Sequence, residues 1–203
     1  MDAALVIPKL HTLVCSTRPG RVGLAVATWF HDHATRHGQF DCALVDLAEF
    51  GLPMFDEPEH PRLRKYRQEH TRRWSASVES ADAFVFVTPE YNYGPPPALV
   101  NAMNYLVSEW HYKPVGFVSY GGLSGGMRAV QVEKLMVTTF KMMPMMEAVV
   151  IPNVAQHLDA DKRFEATDLH ASSAGAMLDE LFRWTDAMRT LRQPGPLGKT
   201  AGA

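Results

Sequence analysis

The 203-residue chain reads as an α/β fold, a parallel sheet covered by helices on both faces. Two observations predict it. Short apolar or β-branched runs alternate with stretches of helical periodicity along the chain, and the runs are almost continuously apolar, as strands buried on both faces are. A third observation sets the scale: a chain of this length fits one domain and buries a core without staples.

The strand runs are residues 10–15 (LHTLVC), 40–47 (FDCALVDL), 83–88 (AFVFVT), 114–120 (PVGFVSY) and 148–151 (AVVI). Between them, Val22, Val26, Trp29, Phe30 and His33 form one helical stripe, and Leu63, Tyr66, His70, Trp74 and Val78 form a second. Leu99, Ala102, Met103 and Leu106 make a third, and Ala129, Val132, Met136 and Phe140 a fourth. A last helix is expected over 172–192, with Leu178, Leu181, Phe182, Thr185 and Met188 facing inward. The second stripe also accounts for the basic cluster at 62–73 (RLRKYRQEHTRR) as the solvent side of its helix. The Met-rich stretch KMMPMME reads as core packing ahead of the fifth strand. Residues 1–192 are therefore expected as a single domain, and the Pro- and Gly-rich tail 193–203 as disordered.

Composition narrows the function. A net charge of -2 supplies no basic field for nucleic acid. The two cysteines, Cys15 and Cys42, lack CxxC spacing and sit in apolar runs, which fits a reducing compartment. The start MDAALVIPKL has no basic region ahead of its short apolar segment, and no run approaches the ~20 apolar residues of a membrane span. A cytoplasmic protein with no membrane span is expected.

In open α/β sheets, ligands sit beyond the carboxyl ends of the strands. After the first strand comes CSTRPGRVG, which is neither GxGxxG nor GxxxxGK[ST]. It offers the hydroxyls of Ser16 and Thr17, the guanidinium of Arg18 and free amides where a helix begins near Val22 and Gly23, a set suited to phosphate. The same residues equally fit a capping turn with solvent-facing arginines. After the third strand comes PEYNYGPPP, whose prolines predict a stiff, extended loop until Pro97 or Ala98 opens the next helix. Glu90 there is read as exposed, or as paired across a subunit interface. After the fourth strand, SYGGLSGGMRA lets the backbone approach a ligand closely. Together the three loops ring one crevice suited to a planar ring with a phosphorylated tail.

The motifs STRPGR, PEYN followed by Pro and a helix, LVNAMNYL, KPVGFVSYGG and GGMRAV, with DLAEFGLPMFDEP at 46–58, resemble the NAD(P)H-dependent FMN reductases and quinone reductases of the flavodoxin-like fold over residues 9–151. The resemblance implies a five-stranded sheet in order 2-1-3-4-5 with FMN at its carboxyl edge. It places Ser16, Arg18, Val22 and Gly23 on the phosphate, Pro89, Glu90, Tyr91 and Asn92 along the ribityl chain and ring, and Ser119, Tyr120, Gly121 and Gly122 beside the isoalloxazine. It further implies NADPH or NADH as co-substrate, for whose 2′-phosphate Arg128 and the basic cluster at 62–73 are candidates, a small-molecule electron acceptor such as a quinone or azo compound, and a homodimer or dimer of dimers with the helix from Ala98 in the contact. The chain departs from the pattern at Cys15, where the family usually has glycine, and at Val100, Asn104 and Tyr105, where it commonly carries Lys and Asp-Trp. Cys15 is read as a small buried residue. The implied activity is hydride transfer by way of FMN, with no protein acid or base assigned. Alternatives are a flavin reductase that supplies reduced FMN to a partner monooxygenase, and a non-catalytic flavodoxin-like electron carrier, against which the near-neutral charge speaks.

Overall fold

Five strands, β1 (Lys9–Val14), β2 (Asp41–Asp46), β3 (Ala83–Pro89), β4 (Pro114–Tyr120) and β5 (Met143–Ile151), pair in parallel in the order β2-β1-β3-β4-β5. This is the flavodoxin-like order the resemblance implied. The structure, a computed structural model, describes residues 7–192; residues 1–6 and the tail 193–203 lie outside the described residues. Every residue of β3 and β4 is buried, which explains their unbroken apolar sequences.

Helices α1 (Gly23–His37) and α5 (Asp168–Arg192) cover one face, packing Val26, Phe30, Leu178 and Leu181 on Leu10, Val85, Val87 and Val118. Helices α2 (Glu69–Ser80), α3 (Pro97–Asn104) and α4 (Met127–Thr139) cover the other, packing Trp74, Leu99, Met103 and Val137 on Leu13, Phe84, Phe86 and Phe117. The two-residue period of the strands assigns each side chain to one layer or the other.

Four expectations need correction. β5 begins at Met143, so most of the Met-rich stretch lies within a strand rather than ahead of it. The pairing shifts register between Val115 and Phe117, and on this edge strand Met145 is buried while Met146 is 83% exposed. Pro144 is tolerated there because an edge strand leaves a backbone N–H unused. Second, the helix expected through residues 63–78 starts only at Glu69. Arg64 takes a left-handed backbone, and the Glu57 carboxylate accepts the N–H groups of Arg67 (2.8 Å) and Gln68 (2.9 Å), fixing residues 64–68 as a pinned loop. The basic cluster is thus not one helical face. Arg64 pairs with Glu79 and Glu109, Arg67 with Glu59 and Arg72 with Glu69. Third, α4 buries Ala129, Val130, Glu133 and Val137, while Val132 is exposed, because an acid occupies an inward position that the apolar pattern assigned to surface. Fourth, the loop after β3 is not extended throughout: Tyr91 and Gly94 exchange backbone hydrogen bonds at 2.9 and 3.0 Å, with Asn92 and Tyr93 both at positive φ, a tight turn of the hairpin type.

Candidate active site at the carboxyl edge of the sheet

The loop after β1 leads into α1, whose cap residue Val22 supplies no side-chain hydrogen bond. The first intrahelical bond runs from Val26 N–H to Val22 O, so the amides of the first turn lack helical partners, as an anion site requires. Arg18 is exposed, and among the described residues its guanidinium bonds only its neighbour's carbonyl, Pro19 O, at 3.4 Å, which leaves it available to a ligand. Arg21, quoted in the motif but assigned no role, pairs with Asp46 at the end of β2 and ties the loop to that strand.

Beneath this loop lies a second cluster. Tyr120 points to the α1 face and its hydroxyl donates to Ser16 Oγ at 3.0 Å, with both side chains buried. A Cβ at Gly23 would fall well inside 3.0 Å of both oxygens. Glycine there lets the helix start sit directly on the Ser16–Tyr120 bond. Burial pushes the Tyr120 phenol well above its ordinary value, with the Ser16 bond opposing, so it stays protonated.

Glu90 is neither exposed nor free for an interface. Its carboxylate accepts from Ser124 Oγ (2.8 Å) and the Arg128 amide (3.2 Å) and pairs with the Arg128 guanidinium (3.0 Å). Arg128 also stacks over the Tyr93 ring, its Cζ 4.2 Å from the centroid. The candidate NADPH-reading arginine is therefore engaged within the chain, and the loops after β3 and β4 are joined before any ligand arrives. The sequence offered no signal for this link beyond the proximity of both loops to the sheet edge.

Arg18, Glu90, Tyr91 and Asn92, with Pro95 and Pro97, line one open crevice of about 570 Å³. The structure thus brings the first two loops together as expected. The third contributes differently from side chain to side chain. Gly122 faces open space and Gly121 lies against Glu90 Cβ, whereas the Ser119 and Tyr120 side chains lie buried beneath the crevice. Gly125 and Gly126 serve the loop's own fold: both have positive φ, and a Cβ on Gly126 would strike Tyr120 N and Ser119 Cβ. Val22 is half-buried at the cap, and Pro89 is the last, buried residue of β3. Cys15 is fully buried, its thiol bonded to Leu13 O, and burial pushes its ionisation well up.

A second, larger groove of about 1020 Å³ adjoins the crevice across Pro95 and Pro97. It runs beside α3 and is lined mainly by apolar groups, among them Met54, Phe55, Val100, Val107 and Phe140. Among the described residues no helix is long and apolar enough to cross a membrane.

The family model described as NADPH-dependent FMN reductase matches residues 8–156. The chain is 39% identical over 150 residues to an NAD(P)H-dependent FMN reductase of Schizosaccharomyces pombe, covering 72% of this chain and 75% of that protein. It is 35% identical over 153 residues to one of Nectria sp, covering 72% and 76%. It is also 36% identical over 94 residues to an NADPH azoreductase of Bacillus sp., covering 45% and 51%. Among solved structures, FerB, a flavoenzyme NAD(P)H:(acceptor) oxidoreductase from Paracoccus denitrificans, superposes with a TM-score of 0.70 at 20% identity, covering 90% of this chain and 99% of that one.

Proposed function

The chain belongs to the NADPH-dependent FMN reductase family, and from that premise we propose that it is an FMN-containing oxidoreductase that uses NAD(P)H to reduce a quinone, azo compound or similar small acceptor. It is an oxidoreductase with FMN and NAD(P)H as cofactors; the acceptor class is our reading, supported on the azo side by the partial likeness to an azoreductase.

One observation carries the assignment to the site: the loop suited to phosphate and the polar, aromatic wall after β3 line the same crevice at the carboxyl edge of the sheet. The donor set fits FMN. The phosphate would be held by Arg18 and by the free first-turn amides at Val22 and Gly23, whereas Ser16, expected on the phosphate, is fully buried with its oxygen accepting from Tyr120 and supports the loop from beneath. Pro89, Glu90, Tyr91 and Asn92 would flank the ribityl chain and ring, and the backbone of Gly121 and Gly122 would border the ring where no side chain intrudes. Ser119 and Tyr120 act from beneath, as support. Bound FMN supplies the redox chemistry, accepting reducing equivalents from the nicotinamide and yielding them to the acceptor. The chain's own part is to fix the crevice walls in advance. Tyr120–Ser16 locks the first loop to β4, and Glu90 locks the second loop to α4.

We further propose a homodimer, with the apolar groove beside α3 covered by a second copy. The groove continues the crevice across Pro95 and Pro97 and carries Met54, 81% exposed, at its edge. Light scattering should return twice the chain mass, and Val100→Asp should return a single chain.

The defining experiment records the visible spectrum of the purified protein, then follows NADPH and NADH oxidation with a quinone, an azo dye and free FMN. A flavin spectrum with acceptor-dependent oxidation supports the reading. Oxidation driven only by free FMN favours the flavin reductase alternative. A protein that binds no FMN and oxidises neither nucleotide defeats both.

A further inference from the structure

At the carboxyl ends of the three central strands, one layer below the crevice, runs a row of polar side chains. Thr88 on β3 and Ser119 on β4 are register partners, and Cys15 follows Val14, which pairs with Val87. All three are fully buried on the face covered by α4. Onto this row α4 lowers Glu133, itself 0% exposed, with Oε1 2.5 Å from Thr88 Oγ1. Among the described residues, Oε2 of Glu133 and the Ser119 hydroxyl have no hydrogen-bond partner.

A carboxylate in such a place, with one hydrogen bond and no cation, is far costlier than a carboxylic acid. The groups facing Glu133 are the Cys15 thiol from the end of β1 and the Thr88 hydroxyl from β3. Lys134, next to it on α4, stands over the Phe117 ring with its Nζ 5.9 Å from the centroid. Burial accordingly pushes the Glu133 carboxyl up to about 8, with the Thr88 bond opposing.

The position of α4 matters to the crevice because its N-terminus carries the glycine loop. Two acids hold the helix to the end of β3. Glu90 grips the first turn at Ser124 and Arg128, and Glu133 grips Thr88, one residue before the Pro89–Asn92 wall. We propose that Glu133, as a neutral acid, is a positioning residue for the flavin crevice: it clamps α4 to Thr88 and so fixes the glycine loop against the wall after β3, and its ionisation, which strands a charge in the core that the Thr88 hydroxyl alone does not offset, draws this turn of α4 toward water and loosens the clamp. The proposal rests on the flavin reading of that crevice. It requires no contact between Glu133 and FMN.

The test titrates FMN into the apoprotein from pH 6 to 9.5, reading flavin fluorescence, for the wild type, Glu133→Gln and Thr88→Val. Ionisation of FMN itself affects all three alike, so the ratios isolate the clamp. At pH 9 about one-tenth of the wild type stays neutral at this site, so its affinity relative to Glu133→Gln falls about tenfold between pH 7 and 9. Glu133→Gln, which cannot ionise, shows no such loss, and Thr88→Val, which lacks the hydroxyl that donates to Glu133, binds weakly already at pH 7. Parallel profiles for the wild type and Glu133→Gln overturn the proposal. Hydrogen exchange of the α4 amides in the apoproteins reads the clamp without flavin. Faster exchange above pH 8 in the wild type than in Glu133→Gln supports it, and equal exchange overturns it even if no variant binds FMN. Absence of FMN binding at every pH counts against the flavin reading instead.

Discussion

Gly23→Ala puts a single methyl group where α1 meets the floor of the phosphate loop. The backbone there is ordinary, so no φ penalty arises; the cost is contact. The new Cβ falls well inside 3.0 Å of Tyr120 Oη and lies 2.5 Å from Ser16 Oγ, with Tyr120 Cζ at 3.3 Å. The phenol and the serine are both buried, so neither swings into water. Overpacking of this kind costs about 1–3 kcal/mol, and breaking the 3.0 Å Tyr120–Ser16 bond adds about 1 kcal/mol. The better helix propensity of alanine returns up to about 1 kcal/mol. The net loss is about 2 kcal/mol, or about 4–8 °C in Tm for a chain of this size. Urea unfolding and FMN titration are the assays, with affinity falling as the loop is displaced. Tyr120→Phe removes the oxygen that the methyl strikes, so the double variant should regain part of the loss, a coupling that a double-mutant cycle reads directly. If Gly23→Ala matches the wild type in stability and FMN affinity, or the two changes are additive, the close-packed floor is misassigned.

Arg18→Ala should leave stability within about 0.5 kcal/mol, since its side chain is exposed, yet weaken FMN binding by roughly 10- to 150-fold, the loss of one charge-assisted contact of about 1.5–3 kcal/mol, measured by flavin titration. Glu57→Ala should cost about 1–2 kcal/mol at neutral pH by releasing the amides of Arg67 and Gln68 ahead of α2. Those bonds hold the Glu57 carboxyl below its ordinary value, so its stabilisation is present above the unfolded value and fades as pH falls through the folded one, which acid unfolding of the two proteins will show. Glu133 has the opposite sign. The folded chain keeps the proton while the unfolded chain releases it above about 4.5, so stability declines as pH rises toward about 8 and is flat beyond. Glu133→Gln should therefore gain on the wild type by about 3 kcal/mol between pH 4.5 and 7 in urea unfolding; a difference that does not change with pH would refute the buried neutral acid.

What was legible in the sequence followed the strength of the local signal. β3 and β4 are buried on both sides, and AFVFVT and PVGFVSY carry no competing message, so both were placed nearly to the residue. β5 was placed short because it is an edge strand with shifted pairing: Pro144 and the exposed Met146 are permitted there by geometry that only the neighbouring strand reveals. The stripe from Leu63 to Val78 has helical spacing, but Glu57 takes the amides of Arg67 and Gln68 from outside the segment, and a tertiary bond of that kind leaves no periodicity to read. In the site, the residues that supply charge or backbone to a ligand were legible by type. The residues that hold the site together, Tyr120 under Ser16 and Arg128 on Glu90 and Tyr93, were not, because their roles depend on which strand faces which layer.

That division has a physical consequence. A crevice formed by three loops is only as well defined as the bonds between the loops, and each loop here is tied through a polar contact rather than through apolar packing. The first is held to β4 by Tyr120–Ser16 and to β2 by Arg21–Asp46; the second and third are held to each other by Glu90. Such bonds are directional and fix separation more sharply than apolar contact, at the cost of leaving a buried group unpaired when one partner is lost. Loss of Glu90 illustrates the difference. Glu90→Gln keeps the shape and one acceptor oxygen, so the Ser124 and Arg128 amide bonds can persist while the ion pair does not. Glu90→Ala removes all three of these bonds to the start of α4. If the crevice is set by geometry, the glutamine variant retains most of the FMN affinity and the alanine variant does not; equal losses would show that the negative charge, rather than the spacing it enforces, is what the flavin site needs.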